Sequence, residues 1–312
     1  MGEHKVRPYV ISLMLVMPLL KWPALLGAWL LLLAGQGQAA SPLVEIKDLK
    51  QPVAAGSITT YADLLKLVFP EKPAGEEDEP QTPPVRSLSD YFKAQPLTAK
   101  QGYGDIMALP IKAQGRPRLL LLVSATGERA EAEGDAEEQP FNLLALFQIA
   151  PVPKLLDLVD LGQGMNMGMV EGFWCKNPLI KLTPATQACM VFQEHFNSSQ
   201  SYLQIHLLWV RNQRLEELLG VFAFGGKGFC ESFATRTVFW TLPDKGREYP
   251  KVVARLTVKM EPSPQDEECN KYRQRGFTRA YQGAWRWDPA KKKFRQVSGD
   301  LDQLYKWYDK YY

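Results

Sequence analysis

The sequence predicts a mainly β fold of antiparallel hairpins, with short helices near its N- and C-terminal ends. Three observations carry that expectation. From Gly104 onward, apolar runs of strand length recur, rich in β-branched and aromatic residues and separated by turn-forming residues. Helical periodicity is confined to Thr60–Pro70 and Asp300–Tyr312. Composition is ordinary for a globular chain, with 46% hydrophobic and 23% charged residues, which excludes a wholly disordered protein.

Residues 1–39 read as an export signal. Lys5, Arg7 and Lys21 supply positive charge, Ala24 to Ala34 is uninterruptedly apolar apart from glycine, and Gly37-Gln38-Ala39 offers small residues for cleavage. The apolar run is shorter than the roughly 20 residues that span a bilayer. An earlier stretch, Tyr9 to Leu20, lengthens the leader, and Met14 or Met17 is an alternative start. The competing reading joins both stretches into an uncleaved anchor, which Lys21 and Pro23 interrupt. The expectation is a soluble, periplasmic or secreted protein with no membrane association after cleavage. The whole chain carries 37 Lys+Arg against 34 Asp+Glu, too small an excess to steer nucleic acid by electrostatics.

Residues 40–103 form an N-terminal helical appendage. In it, Thr60 caps a helix whose Tyr61, Leu64, Leu65, Val68 and Phe69 share one face, and Pro70 stops it. Residues 70–86, rich in proline and carrying Glu76-Glu77-Asp78-Glu79, read as a linker, and Ser87 to Ala94 as a further helical turn.

Residues 104–312 form the β-rich domain. Its expected strands are Arg118–Ser124, Phe141–Ile149, Lys154–Leu161, Ser201–Val210, Phe233–Thr241, Val252–Met260, Phe277–Trp287 and Lys293–Val297. The acidic stretch Glu128–Glu138 reads as a solvated hairpin loop, since the tight carboxylate spacing of a calcium loop is missing. After the turn Arg211-Asn212-Gln213-Arg214, local propensity at 214–219 favours helix. The β-branched and aromatic flanks favour the second arm of a hairpin through Phe224. At the C-terminus, Asp300 and Gln303 have the spacing of a capping box. Leu301, Leu304, Tyr305 and Tyr308 form a stripe suited to docking on the sheet. Trp285 and Trp287 alternate onto one strand face, as core residues packed against that helix would.

Long hairpins ending in corners such as Ala284-Trp285-Arg286-Trp287-Asp288 resemble blades of secreted bacterial β-propeller-like proteins. The resemblance spans about residues 105–297 and implies a propeller-like arrangement, with a β-sandwich as the alternative. It implies nothing about function.

All four cysteines, Cys175, Cys189, Cys230 and Cys269, lie beyond the leader. In an exported chain they read as two disulfides, with Cys175–Cys189 and Cys230–Cys269 favoured because each closes a local loop. Their spacing is too wide for a zinc cluster. A nucleophilic Cys175 paired with His195 or His206 is the reactive alternative, which a disulfide would abolish.

No G-x-S-x-G, H-E-x-x-H or P-loop pattern occurs, and Gly225-Gly226-Lys227-Gly228 reads as a turn. No cofactor is expected. His195 and His206 are too few for a multi-histidine centre and read as satisfied polar residues. Met165, Met167 and Met169 would share a face if extended and could ligate Cu(I), or simply fill an irregular core gap. A carboxylate-pair hydrolase would draw on Asp157, Asp160, Glu171 or Glu194. The leading expectation is a non-enzymatic binding module for a protein or other cell-envelope component. The envelope hydrolase and the Cu(I)-binding protein are its alternatives.

Overall fold

The computed structural model describes residues 43–69, 85–87, 102–128, 138–161, 172–173, 178–196, 200–227, 231–262 and 276–311. All belong to one compact unit, Ser41–Tyr312. The fold is mainly β and antiparallel, as expected, and its three sheets are stacked in chain order.

The first sheet contains β1 (Val44–Glu45), β3 (Gly102–Ala113), β4 (Arg116–Glu128), β5 (Glu138–Gln148) and β6 (Lys154–Asp160), with β2 (Arg86–Ser87) parallel to β6 at one edge. The second contains β7 (Gly172–Phe173), β8 (Leu179–Thr183), β9 (Thr186–Phe196), β10 (Gln200–Arg211) and β11 (Arg214–Lys227). The third runs in sequence order through β12 (Glu231–Leu242), β13 (Lys251–Pro262), β14 (Phe277–Asp288) and β15 (Lys293–Gly299). Two helices, α1 (Tyr61–Val68) and α2 (Leu301–Tyr311), complete the described elements.

Strand alternation sends successive side chains to opposite faces, and the core divides accordingly. Ile106, Leu121, Val123, Leu143 and Phe147 face α1, whose Tyr61, Leu64, Leu65 and Val68 cover them. The other face of the first sheet, through Leu120, Leu122, Leu144, Leu146 and Val159, meets Cys189, Val191, Leu208 and Val210 of the second. The opposite face of the second sheet, with Met190, Ile205, Leu207 and Trp209, meets Val252, Leu256, Trp285 and Trp287 of the third, together with Leu301 and Leu304 of α2. Each fully buried leucine in these layers contributes roughly 1.5–3 kcal/mol. The middle sheet is thus buried on both faces. A two-layer sandwich does not describe this stack.

Several local expectations need correction. The N-terminal segment is built into the fold: β1 and β2 occupy the two edges of the first sheet and α1 covers its outer face. Ser87, expected to open a helical turn, is instead in β2 opposite Asp160. β8 and β9 fall where no strand was delimited: Ala188–Val191 of β9 is buried on both faces and lacks the apolar–polar alternation of a half-exposed strand, and β8 alternates over only five residues. The ambiguous arm after Arg214 is strand β11, whose pairing with β10 outweighs helix propensity. Gly225-Gly226-Lys227 continues that strand rather than turning. Asp300 does not close a capping box with Gln303. Its carboxylate accepts from the Gln282 N–H (2.6 Å), and its own N–H donates to the Gln282 carbonyl (2.8 Å), anchoring α2 to β14.

The capping box lies instead on α1. The Asp63 N–H donates to Thr60 Oγ1 (3.3 Å) and the Thr60 N–H donates to the Asp63 carboxylate (2.8 Å). The Arg211–Arg214 hairpin turns through Asn212 and Gln213, both at positive φ, a geometry whose twist suits a two-residue loop.

Candidate functional site

Met165, Met167, Met169, Glu171, Cys175, Cys230 and Cys269 lie outside the described residues. Cys189 corrects the disulfide expectation at its own position. It is a free thiol on β9, completely buried between the first and second sheets among Val191, Leu208 and Val210. Burial pushes its thiol up to about 12, the opposite of what a nucleophile needs. Its small apolar-like volume suits a layer packed from both sides.

Among the carboxylate candidates, Asp157 and Asp160 do not converge. Asp157 pairs with Leu146 and faces the second sheet, whereas Asp160 pairs with Leu143 and faces the α1 side. Neighbouring registers on one strand therefore send the two carboxylates to opposite faces, and they cannot flank one bond. Asp157 is committed to structure. It binds the Arg86 guanidinium through Nε (3.1 Å) and Nη2, and accepts from the Leu215 N–H (2.7 Å). Arg86 Nη2 also donates to the Leu215 carbonyl (2.9 Å), so one ion pair ties β2, β6 and β11 together. Glu194 stands in β9 opposite Leu203.

His206 lies on β10 and is 2% exposed. Its Nδ1 is 2.8 Å from Oε1 of Glu217 across a β-bulge between Leu207 and Leu208. Gly220, directly opposite His206, makes this contact possible: a Cβ there would fall 2.6 Å from Glu217 Oε1. The pair is a carboxylate-oriented imidazole whose ring is buried while the Glu217 side chain is 36% exposed, and the contact ties the two arms of the hairpin together at the bulge. His195 also lies in a strand, β9.

At the end of the stack bearing the short turns, Trp209, Tyr249, Trp287 and Phe294 form a cluster of edge-to-face and tilted rings with centroid separations of 5.1–6.2 Å. Arg211 caps it, 5.7 Å from the Trp209 ring centre and 5.4 Å from that of Trp287, while its Nε donates to Glu216 (2.7 Å). Burial, then the neighbouring Glu248, pushes the Tyr249 phenol up to about 12. Trp285 and Trp287 are core residues in the layer that α2 completes, as alternation indicates.

The outer face of the third sheet is different in kind. The inner face of β13 is apolar, so its alternation and the pairing of β12 with it place Arg236, Val238, Trp240 and Leu242 of β12 outward beside Lys251, Val253, Arg255, Thr257 and Lys259 of β13. Cross-strand pairs set Trp240 beside Val253 and Ala284, Val238 beside Arg255 and Gln282, and Arg236 beside Thr257 and Ala280. Val238 and Leu242 are 43% and 45% exposed and Trp240 is half-buried, whereas Val253 and Ala284 beside it are buried, so the accessible apolar strip is that of β12. Lys259 pairs with Glu261 (2.5 Å) and Arg286 with Asp244 (2.7 Å). Among the described residues, Arg236 and Arg255 have no ion-pair partner. This apolar strip flanked by cations is the candidate binding face. Its signal in the sequence was the alternation Arg236-x-Val238-x-Trp240-x-Leu242, in which the outward positions are apolar where a solvated face would be polar.

No protein-family model, curated protein or solved structure matches the chain.

Proposed function

We propose that this chain is an exported binding protein that engages a cell-envelope component through the outer face of its third sheet. The single observation that carries the reading is that face: exposed Val238 and Leu242 beside Trp240, bordered by Arg236, Lys251, Arg255 and Lys259. An apolar strip on a rigid, multiply paired sheet presents contact area without an ordering cost, and the cations raise the encounter rate with anionic partners. The leader and its expected cleavage after Ala39 support the envelope as the setting.

Cosedimentation of the purified chain with isolated envelopes tests this reading. The wild type is expected in the pellet, and Arg236→Glu/Arg255→Glu in the supernatant. A wild type that stays in the supernatant, or a double variant that sediments as well as wild type, overturns it.

A further inference from the structure

We infer that the occupant of this face is an extended anionic polysaccharide bearing carboxylates, such as a uronate polymer; the inference rests on the binding reading above. Three features of the face select that chemistry.

The first is the geometry of the cations. Lys251, Arg255 and Lys259 share the outward side of one strand, four residues apart each time. At ~3.4 Å per residue they span about 27 Å, with about 14 Å between neighbours. Arg236 sits on β12 opposite Thr257, between the levels of Arg255 and Lys259. The result is a line of positive charge along the sheet, carried by Lys251, Arg255 and Arg236, with Lys259 at its end paired to Glu261. It suits a linear polymer with repeating anions better than a compact ligand.

The second is the identity of two of those cations. Arg236 and Arg255 present planar guanidinium groups, which take a carboxylate through two parallel hydrogen bonds. Neither is engaged in an ion pair among the described residues.

The third is Trp240. It stands between Val238 and Leu242 on the outward side of β12 and next to Val253 across the strand pair. An indole there offers a surface for the C–H face of a sugar ring, one level along the sheet from Val238 and Arg255. A polymer with ring and carboxylate in each unit would use both groups at once. An acidic peptide would use the cations and leave the indole without a specific partner.

Titration calorimetry of the full chain with an oligogalacturonate, a neutral oligoglucoside and poly-glutamate tests the assignment. The oligogalacturonate is expected to bind, to weaken with added salt, and to lose affinity at least about tenfold, or 1.4 kcal/mol, in both Arg236→Gln/Arg255→Gln and Trp240→Ala. The neutral oligoglucoside is expected not to bind, and poly-glutamate to bind weakly and identically to wild type and Trp240→Ala. Matching unfolding midpoints establish that the variants are folded. Trp240→Leu, which retains apolar volume, replaces Trp240→Ala if the latter unfolds, and the same tenfold loss is expected.

Poly-glutamate binding as tight as oligogalacturonate, with Trp240→Ala without effect, overturns the glycan assignment in favour of a generic polyanion or acidic protein. Absence of oligogalacturonate binding overturns it too. If envelope cosedimentation still depends on Arg236 and Arg255, the face remains a binding site and only the ligand class is wrong. If cosedimentation is independent of them, the binding reading fails with it.

Discussion

Substitution of Asp157 separates a structural carboxylate from a catalytic one. Its side chain is 8% exposed and holds the Leu215 N–H and the Arg86 guanidinium, whose own side chain is 39% exposed. Asp157→Ala leaves the Leu215 N–H without its acceptor inside the layer between the first and second sheets, a loss of about 1–3 kcal/mol. The broken ion pair adds less than the 3–5 kcal/mol of a fully buried one, because solvent reaches Arg86; ~0.5–1 kcal/mol is appropriate. The combined destabilisation is roughly 1.5–4 kcal/mol, or a fall of roughly 3–16 °C in Tm at about 2–4 °C per kcal/mol. Asp157→Asn keeps an oxygen for Leu215 and loses the charge, so it is expected to cost about 1 kcal/mol. Urea denaturation of the three proteins, with equal slopes to confirm comparable unfolding, reads these differences directly. An Ala variant within 0.5 kcal/mol of wild type, as expected for an ordinary surface change, would refute the assigned role, and so would an Asn variant as unstable as Ala.

Three further outcomes follow from buried or capped groups. Cys189, with its thiol pushed up to about 12, should resist iodoacetamide at pH 8 in the native protein and react on denaturation; labelling at the native rate of a free thiol would contradict its burial. Because that pKa is raised, the unfolded thiol ionises first, so stability is intact below about 8.5 and falls by up to ~1.4 kcal/mol per pH unit from there to about 12. Cys189→Ala should flatten that alkaline decline in pH-dependent urea melts. Gly220→Ala places a Cβ 2.6 Å from Glu217 Oε1 and should displace the carboxylate from His206; in urea melts Glu217→Gln then destabilises the wild type but adds nothing when combined with Gly220→Ala. Thr60→Ala should cost about 1 kcal/mol by removing the α1 cap. The Thr60 backbone N–H and hydroxyl hold the Asp63 carboxyl below its usual range, so its contribution is present above the unfolded carboxyl pKa and is lost as pH falls through the folded one; acid titration of wild type and Thr60→Ala by circular dichroism should show the difference narrowing.

The sequence revealed those parts of the fold in which a residue's surroundings repeat along the chain. The α1 stripe from Tyr61 to Phe69 and the alternation placing Trp285 and Trp287 on one face both survive into the structure, because each element has one wet and one dry side. The middle sheet was harder to read. Ala188–Val191 of β9 is buried on both faces, so these residues carry no alternation to mark a strand. Long-range partners were also invisible. Nothing near Asp157 in sequence indicates that Arg86 and Leu215 meet it, and Cys189 reads as a disulfide partner until the packing of the first two sheets encloses it. The candidate face was hidden for a related reason: an outward Val-x-Trp-x-Leu looks like core until the inner face of the same strand is known.

Hydroxyl-radical footprinting with mass spectrometry, on the free chain and on the chain bound to isolated envelopes, tests the central claim most directly. Free protein should oxidise at Val238, Trp240 and Leu242, and also at Ile58 and Val152, which are 98% and 68% exposed and lie elsewhere on the chain. With envelopes present, the account predicts protection of Val238, Trp240 and Leu242 and unchanged oxidation at Ile58 and Val152. Unchanged oxidation at all three β12 positions while the chain is envelope-bound would contradict it, because binding would then use another surface.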